Sequence, residues 1–287
     1  MIKTLKTAIL FGVAFFFAFN TVAFAQKKKS GETYKDIISK AHNLVLQKDR
    51  QQAQNILLAA LKNEKANTKA HKELKNTLSE ISNVFLSDKS QQMYELSLSL
   101  KRTDLNQAQQ RLGEALRMEP DNVTLLLESA RQSLMKNECS NAEEMANKAQ
   151  KLIPGDDELM LVQAQIRLCE NDLVGYQKIK DAATTTNFPL EWTALDVDRS
   201  VREKNFLKAK EALTQFKKIS KQHPESNYWS WKLDNEQKVP NADAAQKYVM
   251  SCRNLSVQVA RQYRLDPWLC GHVAEAENYL KNTTQTQ

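Results

Sequence analysis

The chain is predicted to be all-α, a stack of helical hairpins, and three observations predict it. Only 6 glycines and 6 prolines occur in 287 residues, against a wealth of Ala, Leu, Lys, Gln and Glu that favours helices joined by short turns. Strand-like alternation of apolar and polar residues is absent from the sequence. Two stretches, RMEPDNV at 117–123 and KLIPGDD at 151–157, each close a helix-forming run with a proline, and Pro120 and Pro154 are 34 residues apart.

The first 25 residues read as an export signal and not as part of the fold. Lys3 and Lys6 give a positive start, Ala8 to Phe19 an apolar run, and AFA at 23–25 places small residues around a cut after Ala25. An uncleaved membrane anchor is the rival reading, against which Asn20 and Thr21 interrupt a run already short for a bilayer span. With cleavage no stable membrane span remains, and the protein is expected to be periplasmic or secreted. Residue 26 is Gln and not Cys, so no lipid acceptor is present. Lys3 and Lys6 account for two of the formal +7 charges. The modest basic excess left behind points to anionic envelope surfaces or acidic partners and away from nucleic acid. Residues 26–33 form a basic lead-in, where Lys27, Lys28 and Lys29 suit weak contact with anionic lipid.

From residue 34 the elements repeat. Residues 34–67 supply Ala41 and Leu44 in a first helix, a turn at Lys48–Arg50, then Ala53, Leu57 and Ala60 in a second. Residues 68–88 break the pattern: Leu74, Leu78, Ile81 and Phe85 recur at helical spacing and predict one amphipathic helix beside the first hairpin. Laying 89–122 over 123–156 brings Ala108 onto Ala142, Leu112 onto Ala146, Ala115 onto Ala149 and Pro120 onto Pro154. Small residues permit close helix crossing, and a proline ends one helix as the next begins. Residues 157–189 continue with Ala164, a turn at Asn171–Leu173 and Ala183. Residues 190–224 follow with Val197, a turn at Lys204–Phe206, then Ala209, Leu213 and Phe216. Residues 225–281 are expected to cap the stack, with Tyr228 and Trp231 of NYWSWKL sealing its end, and 282–287 to form a disordered tail.

A 34-residue hairpin with these small residues and a closing proline resembles the tetratricopeptide repeat, over roughly residues 34–67 and 89–224. The resemblance implies a right-handed α-solenoid whose first helices line a groove for a partner peptide or helix. It places Leu127, Arg131, Leu134, Met135, Leu161, Gln165, Leu168, Asp198 and Arg202 toward that groove. Their structural alternative is ordinary packing for the leucines and a solvated face for the charges.

Export makes disulfides the expected state of Cys139, Cys169, Cys252 and Cys270, with buried free thiols as the alternative. The repeat frame sets Cys139 and Cys169 on one edge of neighbouring hairpins, which leaves Cys252 to pair with Cys270. That second bridge requires a helix break, for which Ser256 is a candidate N-cap. Cys270 and His272 lack the matched ligands of a zinc site. No phosphate loop, nucleophile elbow or metalloprotease helix is found, so neither a cofactor nor a catalytic residue is assigned. The sequence thus predicts a non-enzymatic scaffold of the bacterial envelope that binds protein partners. The alternatives are an accessory or regulatory subunit of an envelope enzyme and a peptidoglycan- or carbohydrate-binding module.

Overall fold

A computed structural model of the chain describes residues 32–284; the expected signal, most of the basic lead-in and the last three residues lie outside them. From Tyr34 onward the described residues form fifteen α-helices and no strand. Six hairpins follow one another: α1 (Tyr34–Leu46) with α2 (Arg50–Asn63), α4 (Asp88–Leu100) with α5 (Leu105–Met118), α6 (Val123–Met135) with α7 (Cys139–Leu152), α8 (Asp157–Cys169) with α9 (Leu173–Ala182), α10 (Pro189–Arg202) with α11 (Phe206–Ile219), and α12 (Glu225–Glu236) with α13 (Ala242–Arg253). A single helix, α3 (Lys69–Asn83), packs against α1, α2 and α6. Two more, α14 (Val257–Gln262) and α15 (Val273–Thr284), complete the chain, and α15 packs on α13. First helices touch in succession, α6 with α8, α8 with α10 and α10 with α12. This succession makes the fold a tetratricopeptide-like α-solenoid.

The turns carry the repeat in the backbone. Lys48, Asn137, Asn171, Lys204 and Lys238 all adopt positive φ of 56–63°, and the last four recur at the repeat spacing. In each turn two amides reach back across the helix end. Asn171 N donates to Leu168 O at 3.0 Å and Asp172 N to Arg167 O at 2.8 Å, while Lys204 N and Asn205 N do the same to Val201 O and Ser200 O. This is the left-handed helix ending usually given to glycine; asparagine tolerates it, and lysine meets it at a cost of about 1 kcal/mol. The next residue then starts the following helix: Asp49, Asp172 and Asn205 accept from the amides of Gln52, Gly175 and Lys208. Thr103, whose β-branch disfavours the left-handed region, stands at the α4–α5 turn, which lacks this ending, although Asp104 still caps α5.

The small residues are buried as hairpin packing requires. Ala53, Ala108, Ala142 and Ala209 are each 0% exposed, and Leu57, Leu112, Ala146 and Leu213 follow one turn later and are buried too. The fourth hairpin departs from the expected pattern. Its second helix ends at Ala182, a 3₁₀ turn follows at Thr185–Asn187, and Ala183 lies beyond the helix. Tyr176 fills that core instead, its hydroxyl donating to Asp196 at 3.0 Å. In α3, Leu74, Leu78 and Ile81 are buried as predicted, but the helix stops at Asn83 and Phe85 packs on Tyr94, with 5.4 Å between centroids. At the other end α15 runs through Thr284, into the stretch expected to be a tail; the Thr283 hydroxyl there donates to Tyr279 O at 2.5 Å.

Both expected cysteine pairs are bonded, with S–S distances of 1.98 Å for Cys139–Cys169 and 2.00 Å for Cys252–Cys270. The second pair closes because α13 ends at Arg253 and Ser256 caps α14, its side chain accepting from Val259 N.

One ionic cluster fixes the early repeats. Arg50, 1% exposed, donates to Val84 O at 2.7 Å and to Asp121 at 3.2 Å, and pairs with Glu119. Glu119 also accepts from the amides of Leu86 and Ser87, both at 3.0 Å, and from Asn122 at 3.2 Å. Burial raises its carboxyl pKa, but the Arg50 guanidinium and these donors outweigh burial and hold it below the usual range. The residue just before Pro120 in RMEPDNV is therefore a hub for three chain segments.

Candidate functional site

The face formed by the first helices is covered by the chain's own carboxy-terminal segment, residues 254–272. Arg261 pairs with Glu95 of α4 at 3.3 Å and Arg264 with Glu158 of α8 at 3.6 Å. Gln165 of α8 donates to Leu265 O at 2.8 Å, and the amide of Cys270 to Glu225 of α12 at 2.7 Å. Leu265 and Trp268 pack among Leu161, Ala164, Leu168, Trp192 and Leu195. This strap and the hairpin contacts decide where the expected groove residues lie. Leu127, Leu134, Leu161 and Leu168 are in the core at 0–2% exposure, and Arg131 is buried between Glu128, at 3.4 Å, and Glu158. Met135 is half-buried beside a separate cavity under Arg253 and Leu255. Gln165, Asp198 and Arg202 come together on the wall of another cavity.

That cavity, about 430 Å³, lies between α8, α10, α12 and the strap, within the size range of ligand sites. Apolar wall comes from Leu190, Val201, Phe216, Trp229 and Trp268. Six acids line it: Glu191, Asp198, Glu225, Glu236, Asp266 and Glu275. Against them stand Arg202, Lys204 and Lys232. Asp198 accepts two bonds from Arg202, at 2.7 and 3.1 Å. Lys232 pairs with Glu275 at 2.9 Å and Glu236 at 3.6 Å. Glu191, Glu225 and Asp266 have no basic side chain at ion-pair distance among the described residues.

Their surroundings raise all three. Burial, and then repulsion from Asp266, pushes the Glu225 carboxyl well up, although it accepts from Cys270 N. Burial pushes Asp266 up to about 6 despite its bond from the Trp268 amide at 2.9 Å, and burial also raises Glu191. Glu275 behaves oppositely, held at about 2 by His272 first and by Lys232 against a smaller effect of burial. His223 is pushed down to about 4 by burial between Phe216 and Tyr263. Its Nδ1 accepts from Glu225 N at 3.3 Å. The imidazole of His272 stacks on Tyr228, with centroids 4.2 Å apart and 8° between the planes.

Glu225, Cys252 and Cys270 bring potential metal-ligand atoms within 4.8 Å of one another, but the two sulfurs are bonded together and offer no thiolate. Tyr228 and Trp231 are buried in the carboxy-terminal core, and Tyr228 and Trp229 both line the cavity. Glu191, Glu225 and Asp266 were not singled out from the sequence. Their one shared trait there is an acid close to proline and aromatic residues, in PLEW, PESNYW and LDPW.

No family model matches the chain, and no curated protein matches it. Several solved structures are similar to it, among them two helical proteins. PilW, described as a widely conserved type IV pilus biogenesis factor, is 16% identical with a TM-score of 0.45, over 70% of this chain and 96% of PilW. A tetratricopeptide repeat protein from Parabacteroides merdae is 13% identical with a TM-score of 0.43, over 88% of this chain and 100% of its own. No helix among the described residues is long and apolar enough to cross a membrane.

Proposed function

We propose that this chain is an exported, non-enzymatic scaffold of the bacterial envelope, periplasmic or secreted, which docks a peptide segment of a protein partner in the cavity between α8, α10, α12 and the strap. The observation that carries the reading is the cavity itself: an aromatic wall, a surplus of acceptors and a rim of exposed residues, held in place by a rigid solenoid. Two disulfides and the amino-terminal apolar run support export.

The test is site-specific photocrosslinking in the producing cell. A photoreactive residue at Glu236, exposed at the cavity rim, should give a discrete crosslinked species. The same residue at Val174, exposed outside the cavity lining, should give none. Equal labelling at both positions, or none at Glu236, overturns the docking site. A carbohydrate-binding module is the second reading, favoured by Trp229 and Trp268 standing beside buried carboxylates. Quenching of their fluorescence by peptidoglycan fragments, saturable and lost on replacing Trp229, would establish it in place of the first.

A further inference from the structure

We propose that the cavity recognises a cationic side chain, lysine or arginine, presented by the partner peptide. This rests on the docking reading and names the group that docks. Two independent observations point to a donor bearing positive charge.

The first is the charge balance. Asp198 and Glu275 have basic partners, whereas Glu191, Glu225 and Asp266 have none. Lys204, which makes no ion pair among the described residues, is exposed at the rim and not at the floor. The second is Gln165, 1% exposed. Its Nε2 is committed to Leu265 O at 2.8 Å, which fixes the amide orientation and leaves its buried Oε1 with no donor in a residue that lines the cavity. A buried acceptor without a donor is costly. Glu225 is held only by the Cys270 amide and the Tyr248 hydroxyl and Asp266 only by the Trp268 amide, so these carboxyls, Glu191 and the amide oxygen all still lack a positive partner, and the complement they call for is a multi-donor cation.

The walls suit the rest of such a group. An alkyl stem packs on Leu190, Val201 and Phe216 while the charged head approaches the acids, and Trp229 offers a ring face to a cation. At about 430 Å³ the space exceeds a single side chain. Flanking residues of a peptide fill it better than a small free amine does, and this decides between the two sources. Burial raises both Glu225 and Asp266, the latter to about 6, and a cation favours their ionised forms, so affinity rises as pH climbs through about 6.

The experiment is calorimetric titration of the intact, disulfide-bonded protein with three probes: the peptide Ac-Ala-Leu-Lys-Leu-Ala-NH₂, the same peptide with norleucine for lysine, and cadaverine. The lysine peptide should bind at least about tenfold tighter than the norleucine peptide at a pH of about 8, and release protons on binding at a pH of about 6, read in buffers of differing ionisation heat. Asp266→Asn and Glu191→Gln, both near-isosteric, should each narrow that preference to about threefold or less. A preference that survives both substitutions, or equal binding of the two peptides, overturns the inference. Cadaverine binding as tightly as the lysine peptide overturns the peptide source and assigns a free amine. Crosslinking at Glu236 is indifferent to charge, so a crosslink without a lysine preference leaves the docking reading standing and removes only this one.

Discussion

Two buried ionic clusters lie at opposite ends of the solenoid, and they are built on opposite terms. Around Glu119 every charge has its complement: a guanidinium, two backbone amides and an asparagine converge on one carboxylate, whose ionised form is favoured. Around Glu225 and Asp266 the carboxyls face aromatic wall and each other, and burial raises both above the usual range. The first arrangement holds chain segments together. The second leaves interaction free energy unspent, as expected of a place where something else must arrive.

The contrast predicts how each cluster responds to damage. Glu119→Ala strands Arg50 without its main partner and frees three further donors, so it should cost about 3–5 kcal/mol in urea unfolding. A loss below about 1 kcal/mol would mean that the cluster does not hold the early repeats. Replacing Cys252 and Cys270 together by serine should cost about 3 kcal/mol, and should weaken ligand binding as the strap loosens. Intact protein that gains no mass on reduction would remove the basis for this expectation.

Asp266→Asn should go the other way. Asp266 has a folded pKa above its unfolded value, so ionising it penalises the native state at neutral pH, and the penalty fades as pH falls from about 6 toward about 4. The substitution should therefore stabilise by about 1 kcal/mol at a pH of about 8 and lose that advantage in acid. His223 runs in the opposite sense. Its folded pKa is depressed to about 4, so its contribution is present above the unfolded value of 6.5 and is lost between there and about 4. The two groups oppose each other across this window, so the Asp266→Asn variant, lacking the compensating acid, should lose stability more steeply with falling pH than the wild type. Parallel pH profiles for the two proteins would contradict the contrast.

What the sequence made legible follows from range. The alanines at 108, 142 and 209, the helix of 69–83, the turns at Lys48, Asn171 and Lys204, and the cap at Ser256 are set by neighbours a few residues away, where periodicity and turn chemistry act. Both cysteine pairs were legible because the repeat frame converts sequence distance into spatial distance. The strap was not, because its bonds join residues such as Gln165 and Leu265, which no periodicity relates. Without the strap Leu161 and Leu168 would lie on an open face; with it they become core. The cavity acids were hidden for the same reason, since Glu225 acquires its character from Asp266 and Cys270, far along the chain.

The strap also changes what the solenoid is mechanically. A stack of hairpins whose neighbours touch only one another stretches under tension like a spring, opening a little at every joint. Here Arg102 donates to Cys252 O at 3.2 Å and Arg261 reaches Glu95, so an early hairpin is fastened to the last one across the intervening turns. Load applied between those two hairpins is carried first by this clasp, and the coil behind it lengthens only after the clasp has released.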